Sequence, residues 1–236
     1  MNFLNSYFLR MNDPIHQNGG FIDKFIGDAI MALFDHPGGE ASAKAKDAVN
    51  AAIDLQKALK IYNSHRAKVG YAGIGVGVGI HFGPVILGTV GSDDRMDTTV
   101  IGDSVNVAFR LEGLAPKYHA DIVVSAQTIA AMGETADVRY RVLDWVRVKG
   151  RQAPVRVYEV LNHLDEDILQ DKIKVQPYIE QGLACRIAQD FSAALDHFHQ
   201  ALNLLPGDPL ISYHIDTCKQ LMQLTIPADW DGSVSI

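Results

Sequence analysis

Cysteine is scarce in this chain, whose 236 residues include only Cys185 and Cys218. Both lie in segments with a helical pattern, and their spacing does not match that of metal ligands. We therefore interpret them as small buried hydrophobic side chains. This sparing use of cysteine fits a cytoplasmic protein.

Long apolar runs are also absent. The longest weakly polar run, residues 72–80, is interrupted by glycine and is far shorter than the roughly 20 residues that a membrane-spanning helix needs. Residues 1–14 mix apolar side chains with asparagine, serine and arginine, which is typical of an amphipathic helix rather than a signal peptide. The sequence predicts no membrane span.

Positively charged residues are fewer than negatively charged ones. The chain has 21 Lys and Arg and 28 Asp and Glu, which gives a net charge of -7. This balance argues against a nucleic-acid partner, which would require a broad basic surface. A polyphosphate ligand would therefore need a local group of cations or a bound metal ion.

Strand and helix patterns alternate along the first two thirds of the chain. Two short strands are predicted over 21–34, joined by the turn Gly27-Asp28, and a long amphipathic helix over 41–67. Glycine alternates with Val or Ile over 74–81, which predicts a strand that another element approaches closely. Further strands are expected at 85–90, 98–101, 122–124, 138–148 and 155–161, with one helix capped by Asp103 and another leading from Ser125 to Met132. This mixture favours an α+β sandwich, with helices on a largely antiparallel sheet.

The last third of the chain has a different pattern. We predict a first domain over 1–161, an acidic linker over 162–174, a helical segment over 175–226 and a tail over 227–236. The helical segment resembles a tetratricopeptide repeat of roughly 34 residues, through Tyr178, Gly182, Ala194, Phe198, Ala201 and Pro206. Because a lone repeat cannot bury its own apolar face, it must pack on the first domain or on a partner.

The most informative stretch, residues 99–111, places Asn106 and Arg110 four residues apart. On a helix these two side chains share a face. An amide beside a guanidinium suits a sugar and a phosphate, because arginine offers a planar fork of donors and keeps its charge when partly desolvated. The stretch therefore indicates a nucleotide ligand.

Several motifs occur together with this stretch. Residues 25–32 (FIGDAIMA), 79–83 (GIHFG), 99–111 and 148–150 (VKG) follow one another in order. With them the chain resembles the class III nucleotide cyclases, the adenylate and guanylate cyclase catalytic domains, over residues 1–161. The resemblance implies a ferredoxin-like sandwich. It also implies joining of the 3′-hydroxyl of a nucleoside triphosphate to its α-phosphate with loss of pyrophosphate, between two cyclase domains that hold two divalent ions.

The resemblance also implies which residues bind substrate and metal. Asp28 matches an aspartate that holds Mg²⁺ or Mn²⁺, and a carboxylate at a hairpin tip suits such a hard cation. Lys24 and Thr99 match the pair that reads the base. Both suit adenine, since an ammonium donates to N1 and a hydroxyl accepts from the exocyclic amine. Lys149 matches a lysine that holds the terminal phosphates, with an exposed turn lysine as the alternative.

Asn106 and Arg110 match the two catalytic residues of the family. The asparagine positions the ribose, and the arginine stabilises the charge that builds on the α-phosphate. His81 lies in the glycine-rich strand and is better explained as a packed, hydrogen-bonded side chain. Asp97 suits a loop or salt-bridge role. Neither His81 nor Asp97 is counted as catalytic.

One family feature is missing from the sequence before Gly20. The family begins with a strand carrying Phe-x-Asp, whose aspartate is the second metal ligand, whereas residues 1–17 have a helical pattern. Asp28 alone should hold two ions poorly. Three interpretations stay open: a fragment of a longer protein, a reading frame that starts upstream, or a degenerate cyclase.

These observations lead to three functional hypotheses. The first is an adenylate cyclase that acts on ATP as a homodimer. The second is a catalytically impaired cyclase fold that dimerises and binds a protein partner through its tetratricopeptide-like segment. The third is a guanylate cyclase, because two side chains decide the choice of base.

Overall fold

The structure is a computed structural model that describes residues 2–35, 38–92, 95–133, 137–147, 153–227 and 229–235. The helices in these ranges are α1 (Asn2–Gln17), α2 (Ala41–Lys68), α3 (Asp103–Glu112), α4 (Ala115–Tyr118), α5 (Ala126–Met132), α6 (Glu166–Ile187), α7 (Phe191–Leu204) and α8 (Pro209–Leu221). The strands are β1 (Phe21–Ile26), β2 (Ala29–Leu33), β3 (Val78–Ile80), β4 (Ile86–Ser92), β5 (Arg95–Ile101), β6 (Ile122–Ser125), β7 (Tyr140–Arg147), β8 (Val155–Val160) and β9 (Val234–Ser235). The predicted α+β class is confirmed.

Five strands form the main sheet, in the order β3-β6-β8-β7-β9. Its inner pairs, β6 with β8 and β8 with β7, are antiparallel, whereas the outer pairs are parallel. The β1–β2 and β4–β5 pairs are separate antiparallel hairpins, with no hydrogen-bonded neighbour strand among the described residues. The sheet is therefore mixed, and its antiparallel character is strongest at the centre.

The glycine-rich segment packs against α3. The strand predicted over 74–81 is shorter in the structure, where β3 spans Val78–Ile80. A Cβ atom on Gly79 would collide with the backbone of Ala108 and Glu112 in α3. Glycine is therefore required for the helix to approach the sheet this closely. This confirms the predicted close packing and fixes the position of α3.

Two predicted caps have different outcomes. Ser125 caps α5, because its hydroxyl accepts a hydrogen bond from the backbone N–H of Thr128. Asp103 was predicted to cap α3, but it is the first helical residue, and Gly102 occupies the cap position without a side-chain bond. The prediction for α3 was wrong by one position, a common error because a helix-favouring aspartate also suits the first turn.

The C-terminal helices share a hydrophobic core with the main sheet. α6 begins at Glu166, so most of the linker predicted over 162–174 is helical. Its acidic residues Glu166 and Asp167 suit a helix start, which explains why the weak periodicity there was misleading. α6 and α7 approach closely at Gly182, where a Cβ atom would meet the ring of Phe198.

Buried charges join these helices to the sheet. Arg186 of α6 pairs with Asp144 of β7, and both side chains are fully buried. Arg141 of β7 pairs with Glu159 at 2.6 Å and with Asp208 at 2.7 Å. The apolar face of the helical segment is thus covered by the first domain rather than left open.

The tail packs back onto the same region. β9 pairs parallel with β7, Asp231 pairs with Arg147, and Trp230 lies against Phe191 with ring centroids 6.1 Å apart. At the other end of the chain, α1 is helical as predicted and packs through Tyr7 and Met11. Within the described ranges, none of the helices combines the length and apolar character that crossing a bilayer requires.

Candidate nucleotide site

Lys24 and Thr99 come together from two different hairpins. Lys24 lies on β1 and Thr99 on β5, and the Lys24 ammonium donates a 2.6 Å hydrogen bond to the Thr99 hydroxyl. Both residues are half-buried. An ammonium has three donors and a hydroxyl can both donate and accept. The pair therefore keeps free hydrogen-bonding capacity for a ligand.

Asp23 is a member of this group that the sequence analysis missed. A β-bulge interrupts the β1–β2 register between Ile22 and Lys24, and the Asp23 Oδ2 atom lies 3.4 Å from the Lys24 ammonium nitrogen. The Asp23 side chain is only 4% exposed. Its Oδ2 atom has no hydrogen-bond partner among the described residues. The available signal was an Asp-Lys pair inside an otherwise apolar strand.

Asp28 occupies the tip of the β1–β2 hairpin, as the sequence predicts. Ile26 pairs directly with Ala29, and Gly27 adopts a positive φ of 65° that favours glycine in a tight turn. The Asp28 side chain is exposed. Its carboxylate still affects a neighbouring group: burial, and in second place the Asp28 charge, raise the pKa of the Tyr7 hydroxyl.

The donor set at this tip fits one hard cation better than two. In the part of the chain that the structure describes, no three His, Cys, Asp or Glu side chains converge as a metal cluster. A magnesium ion usually keeps several waters and takes one or two carboxylates plus phosphate oxygens. Asp28 could therefore contribute to holding a single ion together with a triphosphate.

Asn106 and Arg110 lie on α3, with Asn106 exposed and Arg110 half-buried. An adjacent side of the helix is buried through Val107 and Leu111. The start of α3 is fixed by Ser104, whose hydroxyl donates a 2.8 Å bond to the carbonyl of Pro84. The exposed Asn106 amide therefore lies on a helix whose position is fixed by packing.

Of the predicted site residues, the structure joins Lys24 and Thr99 directly. Among the described residues, no hydrogen bond or ion pair joins Asp28 or Asn106 to the Lys24 and Thr99 pair. Lys149 lies outside the described residues, so its predicted phosphate role stays a prediction.

His81 and Asp97 were not expected to be catalytic. His81 is half-buried, and its Nδ1 atom lies 2.8 Å from the Ser125 hydroxyl, as expected of a packed, hydrogen-bonded histidine. The side chain of Asp97 is outside the described part of the structure, so its expected loop or salt-bridge role stays open.

The β4–β5 hairpin, which carries Thr99, exposes a row of large apolar side chains. Ile86 and Met96 are 72% and 70% exposed. The remaining members of this apolar row are Leu87, Val90 and Ile101. The strand register places Ile86, Val90 and Ile101 on one face of the hairpin and Leu87 and Met96 on the other. Exposed apolar side chains in such number mark an interaction surface.

The chain is similar in sequence to a known protein family and to several of its members. Residues 1–162 match the family model described as the adenylate and guanylate cyclase catalytic domain. An adenylate cyclase of Anabaena cylindrica is 44% identical over 163 residues, which cover 67% of this chain and 31% of that protein. The terminal-differentiation-specific adenylate cyclase of Dictyostelium discoideum is 35% identical over 221 residues, covering 93% and 10%. The chain therefore spans about a third or less of the length of these two relatives.

Solved structures agree with this match. The adenylyl cyclase CyaB from P. aeruginosa superposes with a TM-score of 0.62 at 32% identity, covering 70% of this chain and 83% of that one. The guanylyl cyclase Cya2 superposes with a TM-score of 0.57 at 34% identity, covering 66% and 77%. Neighbours of both substrate types share the fold, so the fold alone does not choose the base.

Proposed function

Because the chain belongs to the adenylate and guanylate cyclase catalytic domain family, we propose that it converts ATP to 3′,5′-cyclic AMP and pyrophosphate. Relatives from Anabaena cylindrica and Dictyostelium discoideum carry the name adenylate cyclase, which supports this choice. The chain spans only part of those proteins, so the activity is argued from its own residues.

The single observation that carries the choice of ATP is the hydrogen bond between Lys24 and Thr99. Adenine presents the N1 acceptor beside an exocyclic amine donor, and this pair can offer a donor beside an acceptor. Guanine presents the reverse order at these two positions and would ask for a carboxylate acceptor in place of the lysine. The pair therefore favours adenine.

The other residues divide the chemistry. Asn106 orients the ribose so that its 3′-hydroxyl faces the α-phosphate, which lowers the entropic part of the barrier. Arg110 stabilises the negative charge that develops on the α-phosphate as the oxygen–phosphorus bond forms and pyrophosphate leaves. Lys149 holds the departing phosphates. A divalent ion near Asp28, when bound, supplies Lewis-acid polarisation of the phosphate oxygens.

We also propose that two copies of the chain build each site. The apolar row on β4–β5 is the surface that a second copy covers, because its exposure is otherwise unfavourable. In such a homodimer, Lys24, Thr99 and Asp28 of one copy face Asn106 and Arg110 of the other. A two-fold dimer of this type contains two equivalent sites.

A cytoplasmic location fits the ATP substrate and the two free cysteines. A protein partner for the C-terminal helices stays a prediction, since the apolar face of that segment packs on the sheet.

Product analysis tests the proposed function. The purified chain is incubated with ATP or GTP in the presence of Mg²⁺ or Mn²⁺, and cyclic nucleotides are quantified by chromatography. We expect cyclic AMP in clear excess over cyclic GMP. A folded dimer that binds no ATP and forms no product would instead support the interaction-protein role.

A further inference from the structure

We propose that Asp23 is a positioning residue that fixes the Lys24 ammonium and thereby sets the preference for ATP over GTP. This inference rests on the proposed function, in which Lys24 and Thr99 read the base. It assigns a role to a carboxylate that the sequence motifs left unused.

The local backbone brings Asp23 and Lys24 together. Neighbouring residues of a regular strand point to opposite faces. The bulge between Ile22 and Lys24 breaks that alternation and leaves Asp23 without a register partner on β2. Bulges re-aim side chains and often lie next to functional sites. The result is a 3.4 Å approach of the Asp23 carboxylate to the Lys24 ammonium.

Burial makes this arrangement informative. The Asp23 side chain is 4% exposed, whereas Lys24 remains 32% exposed. A buried carboxylate oxygen without a hydrogen bond is costly, and such groups call for an explanation. Because Oδ2 is shielded from solvent, its natural role is to attract the adjacent ammonium rather than to touch a ligand.

The donors of Lys24 can then be assigned. One hydrogen of the ammonium goes to Thr99, the Asp23 Oδ2 atom attracts the ammonium from 3.4 Å without accepting a hydrogen bond, and the remaining donors are left for the base. These two fixed partners hold the direction of the remaining donors. Lysine is otherwise a flexible point charge with freely rotating donors.

This rigidity matters because Thr99 cannot select the base alone. Its hydroxyl can donate or accept, so it tolerates either an amine or a carbonyl. Discrimination therefore depends on the ammonium staying opposite ring position 1, which is an acceptor in adenine and a donor in guanine. An ammonium released from Asp23 could swing towards the guanine carbonyl and accept GTP.

Nucleotide binding to the 236-residue chain tests this role. The α,β-methylene analogues of ATP and GTP, which cannot cyclise, are titrated calorimetrically into wild type, Asp23→Asn and Asp35→Asn. Asp35 is a matched control, because its carboxylate pairs with Lys44 at the surface. We expect Asp23→Asn to lower the ATP-over-GTP affinity ratio about tenfold and Asp35→Asn to leave it unchanged. Asp23→Glu, which retains the charge, should recover most of the preference.

A double-mutant cycle separates positioning from a merely structural effect. If Asp23 acts through Lys24, Asp23→Asn should have no further effect on the affinity ratio in a Lys24→Met background. An unchanged ratio in Asp23→Asn, or an equal loss in both backgrounds, would overturn the inference. Binding without cyclic AMP formation would count against the proposed activity alone, whereas a wild-type chain that binds neither analogue would overturn both.

Discussion

Lys24 and Thr99 are 75 positions apart in the sequence, yet the ammonium of one donates a 2.6 Å hydrogen bond to the hydroxyl of the other. The contact joins the β1–β2 and β4–β5 hairpins, which share no strand hydrogen bonds among the described residues. It places a donor and an acceptor side by side on a half-buried surface. In the function that we propose, this contact recognises adenine.

Replacing Thr99 by valine should weaken the use of ATP while leaving the fold intact. The variant keeps the side-chain shape but removes the hydroxyl that accepts from Lys24. Since a hydrogen bond to a charged group contributes about 1.5 kcal/mol or more, we expect kcat/KM for ATP to fall roughly tenfold. Steady-state kinetics of cyclic AMP formation measures this.

Thr98 provides the matched control for that variant. Its hydroxyl lies 3.3 Å from the hydroxyl of Thr89 on the exposed surface, away from Lys24. Thr98→Val should therefore retain the wild-type kcat/KM. Equal losses in Thr98→Val and Thr99→Val would show that the Lys24 contact has no special role.

The contact between Tyr118 and Asp144 should contribute measurably to stability. The Tyr118 hydroxyl donates a 2.8 Å hydrogen bond to the buried Asp144 carboxylate, which also pairs with Arg186. Tyr118→Phe leaves one buried carboxylate oxygen without its donor, and we expect a loss of about 2 kcal/mol in the free energy of unfolding. In a chain of this size that corresponds to a fall in Tm of about 6 °C.

Thermal unfolding followed by circular dichroism checks this prediction. Tyr71→Phe serves as the control, because Tyr71 is exposed and the ring that stacks on Arg66 is retained. We expect no change in Tm for the control. A Tyr118→Phe variant as stable as the control would mean that the buried network does not need this donor.

His214 should make the protein sensitive to mild acid. Burial lowers the pKa of His214 from 6.5 to about 4, despite the opposing influence of Asp144. Between these values the unfolded chain binds a proton that the folded chain does not, so the free energy of unfolding falls as the pH falls from 6.5 to 4. The shift corresponds to about 3 kcal/mol across that window.

Denaturant unfolding at several pH values tests this dependence. His214→Gln keeps a donor for the Leu143 carbonyl, which lies 2.8 Å from the His214 Nε2 atom, and it should flatten the slope between pH 6.5 and 4. His199→Gln, at an exposed position, should keep the wild-type slope. A similar slope in all three proteins would refute the assignment to His214.

Sequence patterns predicted the local features of this fold well. The Gly27-Asp28 turn, the long helix α2 and the close approach at Gly79 depend on short-range spacing, turn chemistry and the absence of a side chain. The Lys24 and Thr99 pair was found through family motifs. No local pattern places those two residues in contact.

The buried ion pairs could not be predicted from the sequence, for a physical reason. Arg141 and Arg186 look like surface residues in the sequence, since arginine is seldom fully buried unless it is paired. Their partners Asp144, Glu159 and Asp208 lie on other elements. The bulge at Asp23 could not be predicted from the sequence either, because the register of a strand depends on its neighbouring strand as well as on its own residues.

Complementation between two inactive variants tests the shared adenylate cyclase site most directly. Lys24→Ala and Arg110→Ala chains are each purified, shown to be dimeric, mixed in equal amounts, allowed to exchange subunits, and assayed for cyclic AMP. Each variant alone should be nearly inactive. Because half of the randomly mixed dimers then contain one intact site of two, the mixture should recover about a quarter of the wild-type activity. No recovery in confirmed heterodimers would contradict a site built from Lys24 of one copy and Arg110 of the other.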